Sequence, residues 1–189
     1  TDTPAAAPAS PVAPSSPPTA CSFSAGPAFA GFYAGLAGKL GCARAPQTAV
    51  NTISEQVFQG GHLFWRKDED IVYIIYDRQI GGGDLLQGTW DRSIDDRIGR
   101  YWSWAKVGEP DPDGIGLTPP PNLFEPVRGF GWLWRTWLGR ENGPLGWALD
   151  KAYGFDSLAQ AQPFEGGVMF RGSDPKVYAL LDDGEFYAT

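Results

Sequence analysis

Few residues in this chain carry the side chains that covalent chemistry needs. Its 189 residues include one histidine, His62, and two cysteines, Cys21 and Cys42. A free Cys42 beside His62 would make a thiolate nucleophile with its base. Neither cysteine lies in a Cys-x-x-Cys motif or a cluster of zinc-binding spacing, and the pattern points instead to a Cys21–Cys42 disulfide, with two separate buried thiols as the alternative. Cys21 follows directly on a Pro/Ala/Ser-rich tail, as expected of a chain folded in an oxidising compartment. The bridge would be worth about 3 kcal/mol in the chain-entropy model.

The carboxylates offer no clear catalytic pair. Glycoside hydrolysis requires two of them facing across a cleft, for which Asp95, Asp96, Glu125 and Glu165 are the candidates. Asp95 and Asp96 sit in a charged run, and Glu165 is matched by Gln59 in a similar segment, so surface charge and turn chemistry explain them more simply. Asp111-Pro112-Asp113-Gly114 lacks the alternating third ligand and distal glutamate of a calcium loop and reads as a turn. No Gly-x-Ser-x-Gly elbow and no phosphate loop is present. The sequence therefore assigns no catalytic residue, no metal and no cofactor.

Aromatic residues are the stronger signal. There are eight tryptophans, and Trp65, Trp132, Trp134, Trp137 and Trp147 fall inside helical and strand patterns where a core or a seam between units accounts for them. In Tyr101-Trp102-Ser103-Trp104 the period-2 spacing puts Trp102 and Trp104 on one face of a strand, about 7 Å apart. Together with Trp90 they are the candidate ligand-binding residues, able to stack sugar rings or anchor a partner protein. The alternative is that they cover a neighbouring unit.

These residues are positioned by elements that the sequence writes twice. Phe29, Phe32, Tyr33, Leu36 and Leu40 repeat at helical spacing, as do Phe130, Leu133, Trp134, Trp137 and Leu138. A Leu-Gly pair follows each: Leu40-Gly41 and Leu145-Gly146. Next come Gln56-Val57-Phe58-Gln59-Gly60-Gly61 and Gln162-Pro163-Phe164-Glu165-Gly166-Gly167, each entering a strand, and then the strand-like runs Ile71–Asp77 and Lys176–Asp182. The Gly-Gly pairs mark a bulge or a close backbone approach. In this alignment His62 is matched by Val168, which predicts a partly buried strand position rather than a catalytic one. Gly88-Thr89-Trp90 adds a strand to the first copy.

These motifs resemble the LGFP-type repeat of bacterial secreted and cell-wall-associated proteins, and Phe124–Gly131 with Trp134-Arg135 resembles the start of such repeats in envelope lipoproteins. The chain departs from that pattern where Leu-Gly is followed by Cys42 and Trp147. The resemblance covers about two-thirds of the chain. It implies an extracytoplasmic, non-catalytic module that binds or organises the cell wall, and it transfers no catalytic residue.

The expected organisation is α+β: two tandem helix-plus-β-hairpin repeats packed together, behind a disordered N-terminal tail. Residues 1–20 form the tail, 21–107 the first repeat with extra strands, 108–122 a connector with five prolines, and 123–189 the second repeat. With six prolines and no aromatic residue the tail cannot fold and would reach about 60 Å as an extended spacer. Any secretion signal or lipid-bearing residue is expected to have been removed, with tethering to a membrane through the N-terminal side. The segment from Cys21 to Gly38 has the small-xxx-small spacing Gly31/Gly35 but is too short and polar to span a bilayer. The net charge of −7, with no basic run, excludes nucleic acid as a natural partner. The function read from the sequence is a non-enzymatic binding or scaffolding module that recognises cell-wall glycan or an envelope protein. A structural accessory subunit of a membrane or surface complex is the alternative, and a small carboxylate-dependent hydrolase is a third reading.

Overall fold

Among the described residues, two α-helices form where the aromatic periodicity places them. α1, Ala30–Leu40, starts from Gly26, whose carbonyl accepts from the N–H groups of Phe29 and Ala30 at 2.9 Å. It stops at Gly41, whose φ of 66° is the left-handed conformation that ends helices. α2, Arg128–Thr136, buries Phe130, Leu133 and Trp134 along one side. The computed structural model describes residues 20–50, 53–69, 71–79, 86–90, 114–155, 159–171 and 176–189, with the backbone alone at 77–79, 86–90, 153 and 155. The first 19 residues, Asp95, Asp96, Trp102, Trp104 and residues 111–113 lie outside these residues. Among the described residues no helix is long and apolar enough to cross a membrane.

The strands are β1 Thr48–Ala49, β2 Ile53–Phe58, β3 Gly61–Arg66, β4 Ile71–Gln79, β5 Leu86–Trp90, β6 Tyr153–Phe155, β7 Gln160–Phe164, β8 Gly167–Arg171, β9 Val177–Leu181 and β10 Glu185–Ala188. They form one antiparallel sheet in the order β1-β7-β8-β9-β10-β5-β4-β3-β2-β6. β1 leads into β2 and β6 into β7, so both ends of this order belong to the same two chain segments. Those segments pair with each other, Thr48 with Ala161 and Ala49 with Gln160 on one side, Ile53 with Phe155 and Glu55 with Tyr153 on the other. Val50 N–H donates to Ala159 O between them. The sheet thus closes on itself, with β1 and β6 extending two of its strands, and closure removes the unpaired edges that invite aggregation.

Strand alternation divides the apolar residues into an inner and an outer set. The inner set includes Ile53, Phe64, Tyr73, Ile75, Phe170, Tyr178, Leu180 and Phe186, all buried. Its rings interlock across the barrel: Phe64 meets Phe170 at 5.2 Å and Tyr178 at 4.8 Å, and Phe170 stacks on Tyr73 at 5.4 Å. The outer set is covered by the helices, and here the structure differs from the grouping that chain order suggests. α1 packs with Phe164, Met169, Val177, Ala179 and Leu181 of the later strands, and α2 packs with Phe58, Leu63, Val72 and Ile74 of the earlier ones. The class is α+β, but each helix lies on the hairpin that is distant in sequence.

The exchange follows from where the Leu-Gly loops run. Gly166 N–H donates to Leu40 O at 2.8 Å and Glu165 N–H to Cys42 O at 2.9 Å; in the other half Gly60 N–H donates to Leu145 O and Gln59 N–H to Trp147 O, both at 3.0 Å. Each loop therefore docks on the Gly-Gly turn of the opposite half and carries its helix across. The glycines are required by this contact, since a Cβ on Gly60 would lie 2.1 Å from Pro144 O and one on Gly166 2.2 Å from Lys39 O.

Cys21 and Cys42 are joined, with Cα atoms 5.3 Å apart and a sequence separation of 21. The bridge ties the chain before α1 to the Leu40–Ala45 docking loop. Cys42→Ser should lower stability by about 2 to 4 kcal/mol in denaturant unfolding, and an unchanged midpoint would show that the staple does not constrain the unfolded chain.

Candidate functional site

Two features invite a functional reading: a polar pair inside the barrel and an aromatic cluster outside it. The pair is Glu55 and His62. In the β2–β3 ladder Glu55 is opposite Phe64 and Val57 opposite His62, which places both polar side chains on the inner face, one register step apart. His62 Nδ1 lies 3.2 Å from Glu55 Oε1, and the two side chains are only 7% and 4% exposed. The imidazole stacks on Phe64 at 5.7 Å and meets the edge of Tyr178 at 6.2 Å. His62 was expected to be a partly buried strand residue, and it is a buried one. The carboxylate beside it was not read from the sequence.

Asp150 adjoins this pair from the second half. Its Oδ1 accepts from Val57 N–H at 3.0 Å, and its carbonyl accepts from Gln56 Nε2 at 3.0 Å. Burial holds the Asp150 carboxyl above its ordinary value; the Val57 bond opposes this, the charge of Glu55 adds to it and that of His62 opposes it. A carboxylate–imidazole pair is the usual arrangement of a general base. Here it is buried against the rings of Phe64 and Tyr178.

At the opposite end of β3, Arg66 turns into the barrel and is held by Asp68 at 2.7 Å and Glu69 at 3.1 Å, with its Nη1 donating to Tyr73 Oη at 3.3 Å. Burial opposes the guanidinium charge, and Tyr73, Asp68 and Glu69 more than offset it. This closes one end of the interior with a fully paired cation.

The carboxylates considered for hydrolysis have structural roles where they are described. Glu125 accepts from Ile115 N–H at 2.7 Å and Leu117 N–H at 2.8 Å. Glu165 accepts from Cys42 N–H at 3.0 Å, the position at which Gln59 accepts from Trp147 N–H at 2.9 Å. Both serve the docking of extended segments. Among the described residues no group of three or more His, Cys, Asp or Glu side chains is arranged to hold a metal ion.

The aromatic cluster surrounds α2. Trp134 is completely buried, donates Nε1–H to Gly146 O at 2.7 Å and tilts against Trp147 at 5.3 Å. Trp65, Trp132 and Trp147 are partly buried against the same core. Trp137 differs from its expected place: it is 46% exposed. The helical spacing assigned it to the buried stripe, but α2 ends at Thr136 and the Trp137 backbone, at φ −121° and ψ −27°, has left helical geometry. Its indole accordingly does not follow the stripe. Of the ligand-binding candidates, Trp90 closes β5, its backbone paired with that of Ile75, while Trp102 and Trp104 lie outside the described residues.

No family model matches this chain, and neither a curated protein nor a solved structure is significantly similar to it.

Proposed function

We propose that this chain is an extracytoplasmic, non-enzymatic module that binds cell-envelope material, cell-wall glycan or an envelope protein, through aromatic side chains on its surface. The observation that carries the reading is Trp137, a large indole left half exposed just past the end of α2. The barrel interior is filled by interlocking rings, which leaves recognition to the surface. Indoles on a rigid support gain affinity by hiding ring faces from water at little entropic cost. The Cys21–Cys42 disulfide is compatible with an extracytoplasmic site. The resemblance to LGFP-type repeats and the matched docking bonds of the two halves support an origin in a duplicated envelope repeat.

Cosedimentation of the full chain with insoluble cell-wall polymer tests this reading. Trp137→Ala should weaken binding at least about tenfold, a loss of roughly 1.4 kcal/mol, with thermal stability unchanged. Binding should also vary little between low and high salt, since charge is not the attraction. The candidates Trp90, Trp102 and Trp104 are tested by the same assay. Retention of full binding by the variant with all four changed to Ala would refute the aromatic surface.

A further inference from the structure

Each half lays an extended arm on a docking loop just before its helix. In one, Phe23 pairs with Ala43, which pairs in turn with Phe164; in the other, Phe124 pairs with Ala148, which pairs with Phe58. The docking loop is thus the middle one of three extended segments. The upstream ends of the two arms are held differently. Glu125, on the second arm, accepts from Ile115 N–H at 2.7 Å and Leu117 N–H at 2.8 Å. Ser24 stands in its place on the first arm and has no carboxylate to offer. There Cys21 is bonded to Cys42 instead, whereas the second half has Asn122 and Trp147 at the matching positions. Of two like contacts, the covalent one is on the arm that directly continues the Pro/Ala/Ser-rich tail.

Without that bond, a pull from the tail would meet the contacts of the first arm one after another. The Phe23–Ala43 pair comes first. Next is the buried Gln162, whose Nε2 donates to Ser24 O at 3.0 Å and whose Oε1 accepts from Gly26 N–H at 2.8 Å. Gln47 Oε1, which accepts from Ala28 N–H at 3.0 Å, follows, and α1 lies directly behind it. Hydrogen bonds taken singly are weak, so an arm loaded in this order peels. With the bond in place, the pull passes from Cys21 to Cys42 and enters the docking loop. That loop is held on both sides of Cys42: Gly166 N–H donates to Leu40 O at 2.8 Å, Glu165 N–H to Cys42 O at 2.9 Å and Arg44 N–H to Pro163 O at 2.9 Å, while Cys42 N–H donates to Glu165 Oε2 at 3.0 Å. Ala43, at its centre, is buried in the core that α1 covers. These contacts are loaded together, and none yields without the others.

We infer that the Cys21–Cys42 bridge is a mechanical clamp, which delivers tension on the N-terminal side into the docking loop and the β7–β8 turn. The bridge is the shorter covalent route between Cys21 and Cys42, so the residues between them, α1 included, stay out of the path. Phe164, Met169 and Leu181 therefore remain covered by α1 while the chain is pulled. Such a path serves a module held from that side, the tether expected of residues 1–20, and it does not depend on what the surface binds.

Force-clamp spectroscopy of the full chain tests this, with one handle fused after residue 189 and the other either fused before residue 1 or coupled to the Cys42 thiol. In Cys21→Ala, Cys42 is the one remaining cysteine, so the load can be placed on the atom that the bridge uses. Pulled from residue 1 at one fixed force, Cys21→Ala should wait at least about tenfold less than the unaltered chain before it first lengthens, a barrier loss of roughly 1.4 kcal/mol. Pulling the same variant from Cys42 should restore the wait to within about threefold of the unaltered chain. A smaller difference in the pull from residue 1 would overturn the proposal. So would a wait from Cys42 as short as that from residue 1, since the bond would then act through overall stability and not through the path of the load. If Cys21→Ala does not fold, the folded chain treated with dithiothreitol, which turns the bridge into two thiols and is itself oxidised, supplies the comparison from residue 1. No ligand enters this assay, so its outcome is separate from that of the cosedimentation.

Discussion

Glu55→Ala should destabilise the protein by about 1 to 3 kcal/mol, measured by denaturant unfolding, because it takes away a hydrogen-bond partner of a buried imidazole. The informative result is the comparison with the double variant Glu55→Ala/His62→Val. Ala161 and Val168 occupy the corresponding ladder positions of the other half, opposite Phe170 and Pro163, so the barrel already packs around these side chains. Replacing both partners of a buried polar pair by apolar groups that fit can be nearly neutral or stabilising, and the double variant should regain most of the loss or all of it. A double variant that shows the sum of the two single losses would mean that the pair is not coupled and that the halves are not packed alike. The comparison thus tests both the buried pair and the correspondence between the halves.

Phe58→Ala and Phe164→Ala should each cost about 3 to 5 kcal/mol. Both rings are buried on the outer face of the sheet, Phe58 under α2 and Phe164 under α1, where Tyr33 stacks on Phe164 at 5.2 Å. Because each helix crosses to the opposite half, either truncation also weakens the seam between halves. The two variants, like the unaltered protein, should accordingly each unfold in a single transition. If Phe58→Ala instead produced a partly unfolded state in which only α2 and the early strands were lost, the halves would be independent units and the exchanged packing would carry little energy.

Much of this architecture is legible along the chain because it is local. The helical spacing of Phe29 to Leu40, the glycine pairs at Gly60-Gly61 and Gly166-Gly167, and the β-branched run at Ile71–Tyr76 each determine their own elements through period and backbone freedom. The pairing of helices with hairpins is not legible, because it depends on where Leu40–Ala45 and Leu145–Asp150 travel, and no periodicity encodes the destination of a loop. The inward position of Glu55 is not legible for a related reason. Next to Ser54 and Gln56 it reads as one polar residue among others on a half-exposed strand, and only its pairing opposite Phe64 shows that it faces inward. A signal was nevertheless present: aligned with the second half, Glu55 and His62 stand where Ala161 and Val168 are, so the polar departures coincide on one face. Trp137 was misplaced because its spacing continues the helical stripe by one position past the end of α2.

A titration with soluble cell-wall oligosaccharides followed by NMR separates the proposed recognition on surface indoles from recognition inside the barrel. The eight indole N–H groups and the single imidazole of the chain give separate reporters for the outside and the inside. Saturable shifts are expected at the Trp137 indole, with the His62 imidazole and the Trp134 indole unmoved. Shifts centred on His62, with the surface indoles unchanged, would contradict this expectation and relocate the function to the barrel interior.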